Sequence, residues 1–402
     1  MEALKGFSGQ VGILAAGRCL SQIGNGFTIF YAPILFVNQL GLSATAVGIG
    51  IGSGAISGVL GRFLGGTFAD SQLVGRRGTL LLSAAISALA DLVFICTHNL
   101  PIFIIGNLLM GLGIGLYWPA TEAAVADLTT DGQRNDIFAI MRLADNLGLS
   151  WGVVLGGALM AAEYNYRVLF AIDGISFIAF FGVVYGAIAE TGDFSKHDSN
   201  QKLQGWMVAW RDRPLRLFLV VNIMFTTYLS QLQSTLPLYL SNFVSGFDPK
   251  IISGLFTWYI VFVALCQLPV ARWLNRFSRP QALGISLLLW EVGFGLIWVT
   301  GVMVGVIWAI LALSIMGLAT AAYTPSASAL VADLAPPSLR GIYMSINAQC
   351  WAIGYFIGPS LGGWALDRSR LIADGFWLVA AVSVGISMLI LQYLQGLLQS
   401  KN

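Results

Sequence analysis

Twelve long apolar runs follow one another along the chain with only short polar connections between them. Each has about the 20 residues that an α-helix needs to cross the hydrocarbon core of a bilayer. Of the 402 residues, 57% are hydrophobic and 10% charged, against roughly 25% charged in soluble domains. The runs predict spans near 11–38, 44–69, 79–97, 101–126, 137–160, 168–189, 215–240, 251–274, 282–300, 302–330, 342–366 and 374–396. The fold class is therefore an all-α membrane protein in a lipid bilayer.

The remaining composition excludes several classes of protein. The first span is polar and rich in glycine and no small-residue cleavage site follows it, so we expect it to be retained. The four cysteines are isolated in different runs, which suits buried apolar residues better than a metal or redox pair. A net charge of +2 with scattered basic residues indicates no nucleic-acid partner. We expect no cofactor and no metal site.

The basic residues predict the topology. With a cytoplasmic N-terminus, fourteen of the 21 Lys and Arg lie on the cytoplasmic side and only Arg167, Lys250, Arg368 and Arg370 lie opposite. This asymmetry follows the positive-inside rule and places both termini in the cytoplasm. Short loops without an Asn-x-Ser/Thr sequon favour a bacterial inner membrane.

The two halves of the chain repeat each other. Residues 111–128 read GLGIGLYWPATEAAVADL and residues 317–334 read GLATAAYTPSASALVADL, a shift of 206 without a gap. The register continues through the glycines of spans 5 and 11, and a shift of 204 relates Pro33 to Pro237. Parallel repeats of this kind are common in transporters. We predict a first bundle at 1–189, a cytoplasmic linker at 190–213 and a second bundle at 214–402.

Two six-span halves, a charged loop after span 2 and a glycine-rich span 5 resemble the major facilitator superfamily over essentially the whole chain. The loop GTFADSQLVGRR, residues 66–77, is similar to the family signature between spans 2 and 3, although it lacks the basic residue after Asp70 and has extra residues before Gly75. The resemblance implies alternating access of two pseudo-symmetric bundles, with spans 1, 4, 7 and 10 lining the cavity. It also implies a monomer without enzymatic activity.

Charges at the ends of spans 2, 4 and 10 are candidates for a gate. Asp127 and Arg134 resemble the family loop after span 4, and Asp333 and Arg340 repeat them after span 10. Each acid could pair with the arginine seven residues later and latch one side closed; alternatively, these are solvated loop charges. The gating candidates are Asp70, Arg76, Arg77, Asp127, Arg134, Asp333 and Arg340.

Glycines recur every fourth residue in span 5, at Gly148, Gly152 and Gly156, and in span 11, at Gly354, Gly358 and Gly362. Such stripes let two membrane helices approach closely. The stripe of span 5 also resembles the drug-exporting branch of the family, where a proline usually follows the second glycine; here Val153 follows it. That branch usually has an arginine in span 4 where this chain has Asn107.

Placing a polar side chain in lipid costs free energy, so polar residues within spans are expected to face a water-filled cavity or a polar partner. At 100° per residue, helical faces of spans 1, 4, 5 and 7 collect them. The candidates for the substrate cavity are Gln22, Asn25, Tyr31, Asn107, Trp118, Asn146, Asn222, Thr226, Gln233, Tyr323, Trp351 and Tyr355.

Glu122 and Asp145 are the predicted proton carriers, with Arg18 and Arg142 as their available partners. An arginine that moves changes whether a buried carboxyl holds a proton. The alternative is a static ion-pair cluster that holds spans 1, 4 and 5 together. Asp91 and Glu291 are interpreted as packing residues on peripheral spans, and Asp173 as a structural residue near the outer surface.

Three classes of function remain open. An exporter of amphiphilic compounds fits the glycine stripe and the aromatic cavity, with a small molecule as substrate and the proton as coupling ion. A proton symporter or facilitator that imports a small nutrient fits the polar face of span 1. A non-transporting receptor or assembly factor with the same fold is the third, whereas no motif of an intramembrane enzyme is found.

Overall fold

The computed structural model describes residues 9–128, 134–162, 164–190, 202–274, 276–336 and 339–399. The side chains of Arg134, Arg142 and Arg340 lie outside the described residues. Within these ranges the chain forms thirteen helices and no strand. They are α1 Gly9–Asn38, α2 Ala44–Ala69, α3 Gly75–Ile95, α4 Leu100–Asp127, α5 Arg134–Ala161, α6 Tyr166–Ala187, α7 Lys202–Arg211, α8 Arg213–Phe243, α9 Pro249–Leu274, α10 Arg279–Met303, α11 Val306–Leu334, α12 Arg340–Leu366 and α13 Arg370–Gln399.

Twelve of these helices are the predicted spans, and α7 is a ten-residue helix in the predicted linker. Eleven of the described helices are long and apolar enough by composition to cross a membrane. The twelfth span, α12, is more polar because it contains Asn347 and Gln349, but its 27 residues extend about 40 Å. The predicted all-α membrane fold is confirmed.

The chain divides into two compact units. The first contains residues 1–42 and 49–197, and the second contains residues 43–48 and 198–402. In the first unit, α1 packs against α5 and α6, and α3 packs against α4 and α6. In the second unit, α8 packs against α12 and α13, and α10 packs against α11 and α13. The same neighbours recur in the same order, as the repeat predicts.

Prolines also recur inside matching helices, at Pro33 and Pro237 and at Pro119 and Pro325. A membrane helix tolerates an internal proline because neighbouring helices and side chains satisfy the freed backbone groups.

Glycine seams set the closest helix contacts, as predicted for spans 5 and 11. A β-carbon built on Gly152 would lie 2.0 Å from the carbonyl oxygen of Ile23 on α1, and one on Gly148 would lie 2.2 Å from that of Cys19. On α12, β-carbons at Gly354 and Gly358 would meet side chains of α8. Only glycine lets these backbones come so close. Close packing matters here because lipid provides no hydrophobic driving force for helix association.

Candidate functional site

A buried ion pair joins α1 and α5 in the first unit. The guanidinium of Arg18 donates from Nε to Oδ1 of Asp145 at 3.0 Å and from Nη2 to Oδ2 at 2.5 Å. Arg18 is 2% exposed and Asp145 is 8% exposed. The pairing is bidentate, the geometry in which a planar guanidinium holds a carboxylate most firmly. The helices can bring these side chains together because Gly148 and Gly152 let α5 approach α1 closely.

Two aromatic rings of α4 lie beside this ion pair. The guanidinium carbon of Arg18 is 5.2 Å from the ring centre of Trp118 and 5.9 Å from that of Tyr117. Both distances are within the range of cation–π attraction. The two rings contact each other edge to face at 5.5 Å. Arg18 is therefore held by one carboxylate and by the π-faces of two neighbouring residues.

A second carboxylate acts on Arg18 from α4. Glu122 is exposed and interacts electrostatically with Arg18 and with Arg62 of α2. Arg18 therefore interacts with a buried acid and with an exposed one. Arg142, the other predicted partner, has its side chain outside the described residues, so its role stays a prediction.

Polar residues of α1 and α5 lie near the pair. Asn25 donates from Nδ2 to Oε1 of Gln22 at 3.2 Å, and both residues line a small cavity together with Trp118. Asn146 follows Asp145 on α5 and is partly exposed. Among these candidates of the first unit, Asn25, Trp118 and Asn146 are partly exposed and Gln22 is buried.

The charges where α2 ends, α3 begins and α4 ends form one cluster. Arg76 pairs with Asp70, Nη1 to Oδ1 at 3.3 Å, and with Asp127. Arg77 donates to the carbonyl oxygen of Tyr185 at 2.6 Å. The pairing of Asp127 with Arg134 stays a prediction because that side chain lies outside the described residues; the structure adds Arg76 as a partner.

Glu190 caps the first turn of α3. Its carboxylate accepts from the backbone N–H of Arg76 at 2.9 Å and of Arg77 at 3.1 Å. Gly75 has φ +69°, and a β-carbon built on it would overlap the same carboxylate, so this turn requires glycine. From the sequence, Glu190 was expected in the linker, without a partner.

The second unit repeats the charged arrangement at its corresponding helix ends. Asp333, at the end of α11, pairs with Arg279, at the start of α10, at 3.5 Å. Arg340 was the predicted partner, but its side chain lies outside the described residues. Because Arg279 and Asp333 are exposed by 40% and 62%, we expect solvent to screen this pair strongly.

Amide and aromatic side chains form the polar interior of the second unit. The hydroxyl of Tyr355 on α12 donates to Oε1 of Gln233 on α8 at 2.7 Å, and Trp351 packs one turn before Tyr355 at 5.9 Å. Deeper in the unit, Nδ2 of Asn222 donates to Oδ1 of Asn347 at 2.7 Å. Gln233, Trp351 and Tyr355 are partly exposed.

The family assignment follows from comparison with known proteins. A family model described as Major Facilitator Superfamily matches residues 14–255 and 244–396. The chain belongs to the major facilitator superfamily. It is a membrane transporter and not an enzyme, as the sequence predicts.

Relatives within the superfamily are distant but cover most of the chain. An uncharacterised MFS-type transporter of Bacillus subtilis, YqjV, is 26% identical and the match covers 87% of this chain and 85% of the relative. A Na⁺, Li⁺, K⁺/H⁺ antiporter of Planococcus maritimus is 24% identical, with 76% and 77% covered. The quinolone resistance protein NorA of Staphylococcus aureus is 24% identical, with 89% and 90% covered.

Solved structures show the same fold. The nucleoside transporter NupG superposes with a TM-score of 0.81 over 96% of this chain and 99% of that one, at 15% identity. At this identity the likeness concerns the fold alone.

Four predicted cavity residues of this transporter instead pack between helices. Tyr31 is fully buried and its hydroxyl donates to the carbonyl oxygen of Val153 at 3.0 Å. Thr226 is fully buried and donates to the carbonyl oxygen of Cys350. Tyr323 is 1% exposed and stacks on Phe225 at 3.5 Å. Their placement on a polar or aromatic face was right, but the face is covered by the next helix.

The fourth is Asn107 of α4, which donates to the carbonyl oxygen of Phe103 in its own helix at 2.9 Å. A β-carbon on Gly111, one turn later, would lie 1.9 Å from the carbonyl oxygen of Gly54 on α2. This end of the predicted α4 face is therefore a tight seam against α2, and only its other end carries Trp118 and Glu122. Gly54 and its neighbours Gly58 and Gly61 were the available signal for this seam.

Asp173, interpreted as a structural residue near the outer surface, is 1% exposed and accepts a hydrogen bond from the hydroxyl of Thr28. One further prediction about an acidic residue is wrong. Glu291, interpreted as a packing residue, is exposed on α10.

Proposed function

We propose that this transporter exports small amphiphilic compounds in exchange for protons and that Asp145 carries the proton, with Arg18 as its partner. The observation that carries the proposal is the buried bidentate ion pair between α1 and α5. Two charges at this depth are costly to maintain, and an ion pair of this kind contributes little net stability compared with apolar residues. A role in coupling accounts for their presence.

Proton uptake at Asp145 acts on Arg18 directly. A proton on either carboxylate oxygen removes the negative charge and one of the two acceptors that Arg18 uses. The guanidinium then loses the counter-charge that it contacts, and Glu122 remains as a carboxylate that interacts with it electrostatically. Transfer of Arg18 from Asp145 towards Glu122 converts proton binding into a movement of α1 relative to α4 or α5. Release of the proton restores the original pair.

The substrate class rests on aromatic and amide side chains together with the relatives. Trp118 in the first unit and Trp351 and Tyr355 in the second are partly exposed rings suited to apolar or aromatic compounds. The amides of Gln22, Asn25 and Gln233 supply hydrogen bonds without a fixed charge. NorA is named for quinolone resistance and the relative from Planococcus maritimus for cation/proton antiport, which supports export coupled to protons.

The proposal includes location and orientation. The transporter resides as a monomer in a bacterial plasma membrane, with both termini in the cytoplasm. The positive-inside asymmetry and the bacterial relatives support this.

A second candidate function is proton-coupled or passive import of a small polar nutrient. The observation that favours it is a neutral amide contact within each unit, Asn25 to Gln22 in the first and Asn222 to Asn347 in the second. Such amides suit hydroxyl or amide groups of a ligand better than an apolar compound.

The test is proton movement in proteoliposomes that contain a pH-sensitive dye, with cationic dyes, sugars and amino acids as substrates. We compare the wild type with Asp145→Asn, Glu122→Gln and a matched control, Glu291→Gln, which removes an exposed carboxyl from α10. Export predicts that a cationic dye drives proton flux in the wild type and in Glu291→Gln, and that this flux is lost in Asp145→Asn.

The alternatives give different results. Proton flux in the direction of a sugar or amino acid supports the importer. Equal substrate movement in wild type and Asp145→Asn without proton flux would contradict proton coupling and leave the ion pair as a structural element.

A further inference from the structure

Two buried carboxyl groups lie close together in the first unit, apart from the Arg18–Asp145 pair. Asp91 is on α3 and Asp173 is on α6, and these helices pack against each other. Asp91 is fully buried and Asp173 is 1% exposed, and the two carboxyl groups interact electrostatically. Small residues allow this approach: a β-carbon built on Gly174 would lie 3.3 Å from Cβ of Asp91, and one on Gly24 would lie 1.6 Å from Oδ1 of Asp173.

The two acids differ in their hydrogen bonds. Asp173 accepts from the hydroxyl of Thr28 at 3.0 Å and from that of Ser176 at 3.4 Å. Neither carboxylate oxygen of Asp91 has a hydrogen-bond partner among the described residues. Hydroxyl donors favour the ionised form of a carboxyl group, and burial without donors favours the neutral form. Of the two carboxyl groups, Asp91 is therefore better suited to hold a proton.

No basic side chain faces this pair within the described part of the chain. On α1, Arg18 lies ten residues before Thr28 and is engaged by Asp145. On α6, Arg167 is exposed in the first turn. On α4, a β-carbon on Gly106 would meet the ring of Phe94 and one on Gly113 would meet Oγ of Ser87. Residues 106–113 therefore lie level with Asp91, and none of them is charged.

A small cavity lies among α1, α3, α4 and α6. Its volume is about 10 Å³, about the space that one water molecule needs. Its lining includes Gln22, Asn25, Ser87 and Tyr117. Ser87 is one helical turn before Asp91, and Tyr117 lies against the guanidinium of Arg18.

Two hydroxyl groups of this lining are buried. Ser87 is 1% exposed and Tyr117 is 6% exposed; the hydroxyl of Ser87 has no hydrogen-bond partner among the described residues, and that of Tyr117 has Thr121 as its neighbour. Buried hydroxyls are normally satisfied. Both can donate and accept a hydrogen bond, which is what a chain of proton transfers requires.

We propose that Asp91 and Asp173 form a proton-binding site that holds one proton, mainly on Asp91, and that the cavity between Ser87 and Tyr117 passes this proton to and from Asp145. Two ionised carboxyl groups this close and this deep repel each other and cannot both be sustained, so one proton is retained. In transfer, a proton leaves an oxygen of Asp91 and an equivalent proton arrives at Asp145 through hydroxyl groups and water in the cavity. The transfer to Asp145 rests on the proposed function, whereas proton binding by the acidic pair does not.

Infrared difference spectra of the purified transporter test the binding site. A protonated, buried carboxyl group has a carbonyl stretch that an ionised one lacks. We expect this band at neutral pH in the wild type, its loss in Asp91→Asn and its retention in Asp173→Asn and Glu291→Gln. A wild-type spectrum that Asp91→Asn does not change would overturn the proposal, because the proton is then not on Asp91.

Proteoliposome transport tests the pathway. We expect substrate-driven proton flux to fall at least tenfold in Asp91→Asn and several-fold in Ser87→Ala, and to stay unchanged in Glu291→Gln. Substrate counterflow needs no net proton movement and should persist in both variants, which shows that they are folded. Full proton flux in both Asp91→Asn and Ser87→Ala refutes the pathway. If Asp145→Asn still couples substrate transport to proton flux, the proposed function fails. The infrared result then decides separately whether Asp91 and Asp173 bind a proton.

Discussion

Removing one partner of the Arg18–Asp145 pair should destabilise the first unit more than removing both. Asp145→Asn keeps the shape of the side chain but leaves Arg18 buried at 2% exposure without its counter-charge, and the new amide N–H groups oppose those of the guanidinium. Breaking a buried ion pair in this way costs about 3–5 kcal/mol. Arg18→Gln leaves Asp145 equally unpaired.

The expected shift in melting temperature follows from the size of the unit. An unfolding entropy of about 2.1 cal/mol/K per residue over the roughly 190 residues of the first unit gives about 0.4 kcal/mol/K. A loss of 3–5 kcal/mol then lowers the melting temperature by about 7–12 °C. The assay is thermal unfolding of the purified protein in detergent.

The double variant Arg18→Met with Asp145→Leu provides the decisive comparison. Apolar residues of similar volume replace buried ion pairs at little cost or with a gain in stability, so its melting temperature should lie within a few degrees of the wild type while proton-coupled transport is absent. If the melting temperature of the double variant falls by as much as the sum of the decreases in the two single variants, the reasoning is refuted, because the two side chains would then act independently.

Two other predictions concern helix packing and helix ends. Gly152→Val should greatly reduce the yield of folded protein, because its β-carbon would lie 2.0 Å from the carbonyl oxygen of Ile23. Gly182→Val should not reduce it, because no atom lies within 4 Å of the added β-carbon. Size-exclusion chromatography measures both yields, and equal yields would contradict the close contact at Gly152. Glu190→Gln should lower the free energy of unfolding by roughly 1–2 kcal/mol because it weakens the cap of α3. Asp333→Asn should lower it by less than about 1 kcal/mol because its ion pair is exposed. Melting temperatures compare the two variants, and a larger decrease for Asp333→Asn would be inconsistent with this account.

The helices and the repeat could be predicted from the sequence because lipid imposes a simple rule. Backbone groups in the hydrocarbon core must be satisfied within the segment, so an apolar run of sufficient length becomes a helix whatever its neighbours are. The glycine stripes at Gly148 and Gly152 and at Gly354 and Gly358 could be recognised because they repeat every fourth residue, the spacing at which small residues let two membrane helices approach closely.

The site could be predicted only as a set of residues on helical faces. Periodicity placed Arg18 and Asp145 on inward faces, and it equally allowed Arg142, three residues before Asp145, as the partner. The same reasoning placed Thr226 on a polar face, and Tyr31 was assigned to the cavity as an aromatic residue of span 1, but the sequence did not show that a neighbouring helix covers them. Helical period specifies a direction around the axis and says nothing about which helix lies in that direction.

The sequence by itself determined that this chain crosses a membrane twelve times in two repeated halves and that a few charges lie within the spans. It could do so because the length of an apolar run and the presence of a charge in it are local properties of the sequence. The tertiary structure alone decided which charges meet: Arg18 with Asp145 across 127 residues, Arg76 with Asp127, and Asp91 with Asp173. Those pairings depend on helix–helix contacts between segments far apart in the chain, and the distances and burial that make them chemically distinct exist only after the helices have packed.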